Sequence, residues 1–221
     1  MTFTVLARDR VHGLIGAATA SKSLAVGNAV IALRPGVGAV ASQAWTNAAL
    51  RGQMLDAMAA GDSASEAVAR VHEWDASPEF RQVAALDWTS VPAAATGDAT
   101  TAWAGHAAVG DVVVVGNLLA SATVLGAMSA EMARPWPADG GEDDAAAFAR
   151  RLVRALVAAD AAGGDVRGRQ SAAVLVARQA DAGPISIDLR VDDHADPMTE
   201  LDRLVSLRAT DLMERVSART E

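Results

Sequence analysis

Thr2-Phe-Thr-Val-Leu-Ala-Arg-Asp-Arg-Val-His-Gly-Leu-Ile-Gly-Ala-Ala-Thr-Ala-Ser21 decides the class of the fold. Thr2 to Arg8 is rich in β-branched and apolar residues, Asp9 to Gly13 carries turn residues, and Leu14 to Ser21 resumes a run of small and apolar side chains. Two such runs joined by a short glycine-containing turn predict a β-hairpin. Just downstream, Ala29 to Leu33 and Val37 to Gln43 flank Arg34-Pro35-Gly36 and predict a second one. Hairpins pair their strands antiparallel, which argues against βαβ crossovers.

Outward from these strands the period changes. Between Thr46 and Ala60, Leu50, Met54 and Met58 recur every four residues and predict a helix ended by Gly61, with Thr46 or Asn47 as its cap. Ser63-Ala-Ser-Glu66 has the spacing of a capping box, ahead of Ala67, Val71 and Trp74 on one helix face. Strands are expected at Phe80–Leu86, Val91–Thr96, around Trp103 and at Asp111–Gly116, then a helix from Ala120 to Ala133. Arg134-Pro-Trp-Pro-Ala-Asp-Gly-Gly141 reads as a loop within one domain. Glu142-Asp-Asp144 suits a helix start, and Phe148, Leu152 and Leu156 form its apolar face. Strands at Ser171–Ala177 and Ile185–Val191 precede a last helix opened by Asp196-Pro197, with Met198, Leu201, Val205, Leu212 and Val216 as its stripe. Antiparallel strands interleaved with paired helices are buried most economically by two sheets face to face with a helix layer outside each. The expectation is one α+β domain over residues 1–221, a four-layer αββα sandwich.

Composition narrows the function. The formal net charge is −8, from 19 basic and 27 acidic residues, which argues against a nucleic-acid or anionic-membrane surface. The chain has no cysteine, so disulfides, thiolate zinc sites and cysteine nucleophiles are excluded. No apolar run reaches the 18 or so residues of a membrane span, and no signal peptide is visible, so a cytoplasmic location is expected.

Four segments carry groups capable of chemistry. Thr2 stands behind Met1, which is normally removed before a small residue. Its hydroxyl beside a free α-amine of pKa near 8 would be a self-contained nucleophile and base, although many proteins simply begin Met-Thr. Gly163-Gly-Asp-Val-Arg-Gly-Arg-Gln-Ser171 crowds Asp165, Arg167, Arg169, Gln170 and Ser171 before a strand. Its arginines would hold a substrate carboxylate or phosphate, or else pair with Asp165 in an ordinary connection. Asp192-Asp-His-Ala-Asp196 offers oxygen and imidazole ligands, but neighbouring strand residues diverge and Asp196 suits a cap, so no metal is assigned. His106 in Trp-Ala-Gly-His, Asn117 after Gly116, and Gln43, Trp45 and Asn47 at a strand-to-helix join are candidate pocket residues or structural hydrogen bonders.

Taken together, the motifs at 2–9, Leu-Ala-Val-Gly at 24–27, Gly-Val-Gly-Ala-Val-Ala-Ser-Gln-Ala at 36–44, Trp-Ala-Gly-His at 103–106, Gly-Asn-Leu-Leu at 116–119, the stretch at 163–173 and Asp-Leu-Arg-Val-Asp-Asp-His at 188–194 resemble the bacterial family known as domain of unknown function 1028. That resemblance implies an αββα sandwich of the N-terminal-nucleophile (Ntn) hydrolase type, and with it Thr2 as nucleophile. It also implies a cation near the position of Arg34, where proteasome-like members carry a lysine, with Lys22 as the other candidate. Asn117 and Gln43 become candidate oxyanion donors. The expected function is cleavage of a small amide or γ-glutamyl-type substrate without a cofactor, in a homodimer or larger assembly. A non-catalytic ligand-binding domain is the alternative, and a metal-dependent hydrolase using Asp192, Asp193 and His194 the third.

Overall fold

A computed structural model describes residues 2–135, 143–179 and 185–220, with residues 212–220 as backbone alone. The elements are β1 (Thr2–Asp9), β2 (Leu14–Ser21), α1 (Val26–Ala29), β3 (Ile31–Arg34), β4 (Gly38–Ala44), α2 (Ala49–Ala59), α3 (Ala64–Ala69), α4 (Val71–Trp74), β5 (Arg81–Asp87), β6 (Ala93–Thr96), β7 (Gly105–Val109), β8 (Val112–Asn117), α5 (Thr123–Met132), α6 (Asp144–Ala161), β9 (Ser171–Arg178), β10 (Ile187–Val191) and α7 (Pro197–Thr220). All ladders are antiparallel. They form a six-stranded sheet in the order β10-β9-β2-β1-β8-β7 and a four-stranded sheet in the order β3-β4-β5-β6.

Strand alternation sorts the side chains into three apolar layers. Phe3, Val5 and Ala7 point to the layer under α5, α6 and α7, where Phe148, Leu152 and Leu156 are buried. Leu6, Ile15, Ala17, Val113, Val115 and Leu175 meet Ala39, Ala41, Ala84 and Leu86 between the sheets. Val40, Val83 and Ala85 pack on the other side against Leu50, Met54, Ala67 and Val71. Three cores between four layers make the αββα sandwich that the alternation of strands and paired helices predicts. Gly16 explains the closeness of α6: a Cβ there would stand 2.6 Å from Leu152 Cδ1 and 2.8 Å from the Leu175 carbonyl.

Several local expectations need correction. Ala29 does not belong to a strand: the chain makes the short α1 there, because β2 lies in the large sheet and β3 in the small one, and a turn must carry the backbone across. The first long helix starts at Ala49 rather than Thr46; Asn47 Oδ1 accepts from the Ala49 N–H at 3.1 Å and holds the turn before it. The strand near Trp103 starts at Gly105. Asp143 caps α6, accepting from the Ala145 and Ala146 N–H groups, whereas Glu142 and residues 136–141 of the proposed loop lie outside the described residues, as do the side chains of Leu212 and Val216. Among the described residues no helix is long and apolar enough to cross a membrane.

The capping box forms as spaced. Ser63 Oγ accepts from the Glu66 N–H at 3.2 Å, and Glu66 Oε2 accepts from the Ser63 N–H at 2.7 Å. Ser63→Ala is expected to lower stability by about 1 kcal/mol, read as the shift in a urea unfolding midpoint.

The sandwich end remote from Thr2 is closed by ions. Burial of Asp87 pushes its carboxyl up, but the Ser90 hydroxyl and the N–H groups of Ser90, Thr89 and Ala64 outweigh burial and hold it at about 2. Asp75 lies at the opposite end, against Arg81 next to Gln82, and is also held low, by Arg81 foremost and against its burial. Asp111 is held low too, Arg8 and Arg10 outweighing its burial. A carboxyl with a depressed folded pKa stabilises above its unfolded value and loses that contribution as pH falls. Tm is therefore expected to drop as pH falls from about 4 towards 2, and Asp87→Asn to flatten that drop. A variant curve parallel to the parent's through this window would contradict the assignment.

Candidate active site

β1 is central in the large sheet, and its first residue is flanked on both sides. Thr2 stands opposite Ser21 of β2 and opposite Asn117 of β8, and Ser21 stands opposite Ser171 of β9. Directly paired residues share a sheet face. Ser171, Ser21, Thr2 and Asn117 therefore form one polar row across four strands, all buried. The small sheet carries a matching row, since Gln43 stands opposite Gln82 and Gln82 opposite Thr96. The apolar filling between the sheets thus turns polar at this end.

Buried polar atoms are tolerable when each finds a partner. Thr2 Oγ1 donates to Ser21 Oγ at 3.3 Å. Thr4 Oγ1 donates to Gln43 Oε1 at 2.7 Å and lies 2.8 Å from Thr19 Oγ1. Gln43 Nε2 donates to the Thr2 carbonyl at 3.1 Å and to Gln82 Oε1 at 2.7 Å. Asn117 Nδ2 donates to Gln82 Oε1 at 3.1 Å. Gln82 Nε2 reaches Thr96 Oγ1 at 2.9 Å, and Thr96 Oγ1 lies 2.8 Å from His106 Nδ1, the exposed end of the chain.

The backbone is strained here. Ala25 (φ 53°), Ala44 (φ 71°) and Leu118 (φ 52°) are the described non-glycine residues with a left-handed backbone. Ala44 follows Gln43, Leu118 follows Asn117, and Ala25 precedes Val26, whose N–H donates to Ser171 Oγ at 3.0 Å. Such residues cost of order 1 kcal/mol or more each and cluster where surrounding structure holds a site.

The expected site residues divide. Thr2, Gln43, Asn117 and Ser171 come together. Gln43 spends both amide hydrogens, on Gln82 and the Thr2 carbonyl, so it holds Thr2 rather than donating to an oxyanion. Asn117 spends one, and no other side-chain hydrogen bond to it is found among the described residues. His106 joins through Thr96. Asp165 is buried beside the row, accepting from the Lys22 N–H at 3.1 Å and pairing with Arg167. Arg169 pairs with Asp160 and lies 3.8 Å from Asp196, and Gln170 donates to Asp193. The loop is thus mostly self-paired, the ordinary alternative for such a segment.

Arg34 does not join Thr2. It pairs with Asp56 at 2.7 Å and stands opposite Gly38, which stands opposite Asp87, at the far end of the sandwich. Adjacency in sequence misleads here, because the β3–β4 turn reverses the chain away from Gln43. Asn47 is also elsewhere, donating to Asp75 at 2.8 Å. Trp45 is 64 % exposed. Among the described residues no group of three His, Asp or Glu is placed to hold a metal. His194 Nδ1 accepts from the Asp196 N–H instead. Sequence reading missed Ser21, Gln82, Thr4, Thr19 and Thr96; the available signal was a lone polar residue on the inward face of an apolar strand, as in Arg81-Gln-Val-Ala-Ala-Leu86.

The model of the family of unknown function DUF1028 matches residues 2–201. A crystal structure of a DUF1028 protein from Silicibacter pomeroyi is 34% identical, with TM-score 0.80, over 93% of this chain and 88% of that one. Anbu (ancestral beta-subunit) from Yersinia bercovieri matches at TM-score 0.41 and 11% identity, over 96% of this chain and 97% of that one. Anbu from Hyphomicrobium sp. strain MC1 matches at TM-score 0.39 and 11% identity, over 100% and 98%. The two Anbu likenesses are too distant to bear on function. Curated proteins yield no match.

Proposed function

The chain belongs to the DUF1028 family, and we propose that it hydrolyses a small amide, γ-glutamyl-type amides included, through Thr2 after removal of Met1. The observation that carries this reading is the position of Thr2 at the head of the central strand, inside the row Ser171–Ser21–Thr2–Asn117. In the proposed reaction Thr2 Oγ1 attacks the substrate carbonyl, and its proton passes to the Thr2 α-amine. The amine then protonates the departing nitrogen as the C–N bond breaks, leaving an ester on Thr2. Water adds to that ester with the same amine as base, and the C–O bond to Thr2 breaks as the amine returns the proton to Oγ1. The second Nδ2 hydrogen of Asn117 is the proposed donor to the oxyanion. Ser21 Oγ, in contact with the Thr2 hydroxyl, orients it.

The test is the intact mass of protein freed of Met1 and treated with a β-lactone, which acylates such a hydroxyl by ring opening without a leaving group. One adduct on the peptide that begins at Thr2 is the expected result. Processed protein that gains no mass would overturn the mechanism. It would favour a non-catalytic ligand-binding domain, the reading that the 6% exposure of Thr2 supports.

Lys22 follows Ser21 directly, and its side chain is exposed. Arg167 and Arg169 are already paired with carboxylates, so Lys22 is the proposed cation for an anionic substrate group. Lys22→Met is expected to raise the half-saturating concentration of a carboxylate-bearing β-lactone by roughly 3- to 10-fold without moving Tm. Equal loss with an uncharged lactone would refute the role.

A further inference from the structure

We infer that Gln82 is a positioning residue that decides which end of the Asn117 amide donates at Thr2; this rests on the reading of Thr2 as nucleophile. Gln82 is fully buried, and none of its side-chain hydrogen bonds goes to Thr2. One end of its amide lies 3.0 Å from the Gly105 carbonyl and 2.9 Å from the Gly116 carbonyl. Carbonyl oxygens accept and never donate, so the NH2 must face them. Oε1 is thereby turned the other way, where it meets Gln43 and Asn117, at 2.7 and 3.1 Å. An acceptor there obliges both neighbours to present their NH2 groups.

The consequences spread from that one orientation. Gln43, with its NH2 turned to Gln82 and to the Thr2 carbonyl, presents Oε1 to the Thr4 hydroxyl, which must donate. The two Gln82 hydrogens are shared among the Gly105 and Gly116 carbonyls and Thr96 Oγ1, and facing that NH2 the Thr96 hydroxyl turns its own hydrogen to His106 Nδ1. Asn117 is left with a fixed Nδ2, one hydrogen on Gln82 and the other unspent. Were Asn117 reversed, its Oδ1 would face Gln82 Oε1, two acceptors in contact inside a buried site. Two strand carbonyls therefore set the polarity of the network, and Gln82 transmits it to Asn117, beside Thr2. Gln82 does this without touching a reacting atom.

The experiment compares parent, Gln82→Met, Asn117→Ala and the double variant, each freed of Met1 and shown folded by circular dichroism. It has two readouts: the side-chain amide resonances in a 1H–15N spectrum, and the β-lactone acylation rate at saturation. In the parent, Asn117 should give two resolved amide resonances, and in Gln82→Met they should shift and broaden. Asn117→Ala should slow acylation on the order of 10²-fold. Gln82→Met should slow it at least about 10-fold with half-saturation little changed, and the double variant should be no slower than Asn117→Ala. Unshifted Asn117 resonances in Gln82→Met, or a double variant slowed by the product of the singles, overturns the inference.

If Gln82→Met does not fold, Gln82→Glu serves. Its protonated carboxyl has one O–H for a strand carbonyl and one C=O for Gln43 and Asn117. The parent-like Asn117 resonances should therefore return as pH is lowered, and their failure to return overturns the inference. A parent that is never acylated overturns the reading of Thr2, and the amide spectra still decide the role of Gln82.

Discussion

Thr2→Ala is expected to lose β-lactone acylation by on the order of 10³-fold or more while the protein stays folded. The hydroxyl is the one group in the row that the proposed mechanism acylates, and no neighbour can replace it. Ser21 is next to it but has no free amine of its own. The structural cost should be small. Thr2 Oγ1 makes one long hydrogen bond, 3.3 Å to Ser21, so its removal should cost no more than about 1 kcal/mol. The Thr2 carbonyl still accepts from Gln43, and its ladder partners in β2 and β8 are unchanged. Thr2→Ser keeps the hydroxyl and should be acylated. Intact mass after a timed exposure, with Tm measured beside it, separates the cases. Acylation of Thr2→Ala at the parent rate would place the reactive group elsewhere.

At the far end of the same strand, Arg8→Met is expected to lower unfolding free energy by about 3–5 kcal/mol, a large share of the roughly 5–15 kcal/mol typical of a domain. The Arg8 guanidinium is almost wholly buried. It donates to the carbonyls of Asp87 and Ser90 and pairs with Asp111. Methionine fills much of the stem volume but supplies no donor. Two carbonyls at the ends of the sheets then lose their partner, and Asp111 keeps Arg10 alone, at 3.0 Å. Chemical denaturation at neutral pH measures the loss. A loss under about 1 kcal/mol would mean that water replaces the guanidinium at no great cost. Because Arg8 and Thr2 sit at opposite ends of β1, the folded fraction of Arg8→Met should still be acylated at Thr2.

How much of this was legible differs from element to element. The β1–β2 hairpin, the Ser63–Glu66 capping box and the Phe148–Leu152–Leu156 face depend on neighbours within a turn or a short loop, and each forms where its pattern stands. Gln43, Asn117 and Ser171 were legible as polar residues at strand ends. Their roles were not. Gln43 looked like a donor to substrate until its two hydrogens were found spent on Thr2 and Gln82. Arg34, nearest in sequence to the second hairpin, is turned away from Thr2 by that hairpin. Asn47 and Arg169, which look free in sequence, are tied to Asp75 and Asp160 by folding.

By itself the sequence determined the order of strands and helices, the antiparallel pairing, and a threonine at the head of the first strand, because these rest on periodicity and turn chemistry over a few residues. Tertiary structure alone decided which polar side chains meet. Thr2 and Asn117 are neighbours through strand register, and Gln43 and Gln82 through pairing across the second sheet. The hydrogen-bond directions inferred at Gln82, Gln43 and Asn117 start from two backbone carbonyls, at Gly105 and Gly116, far from Gln82 in sequence. Hydrogen bonds act over about 3 Å, and the partners here lie tens of residues apart in the chain, so only strand pairing within each sheet and the packing of one sheet on the other bring them within reach.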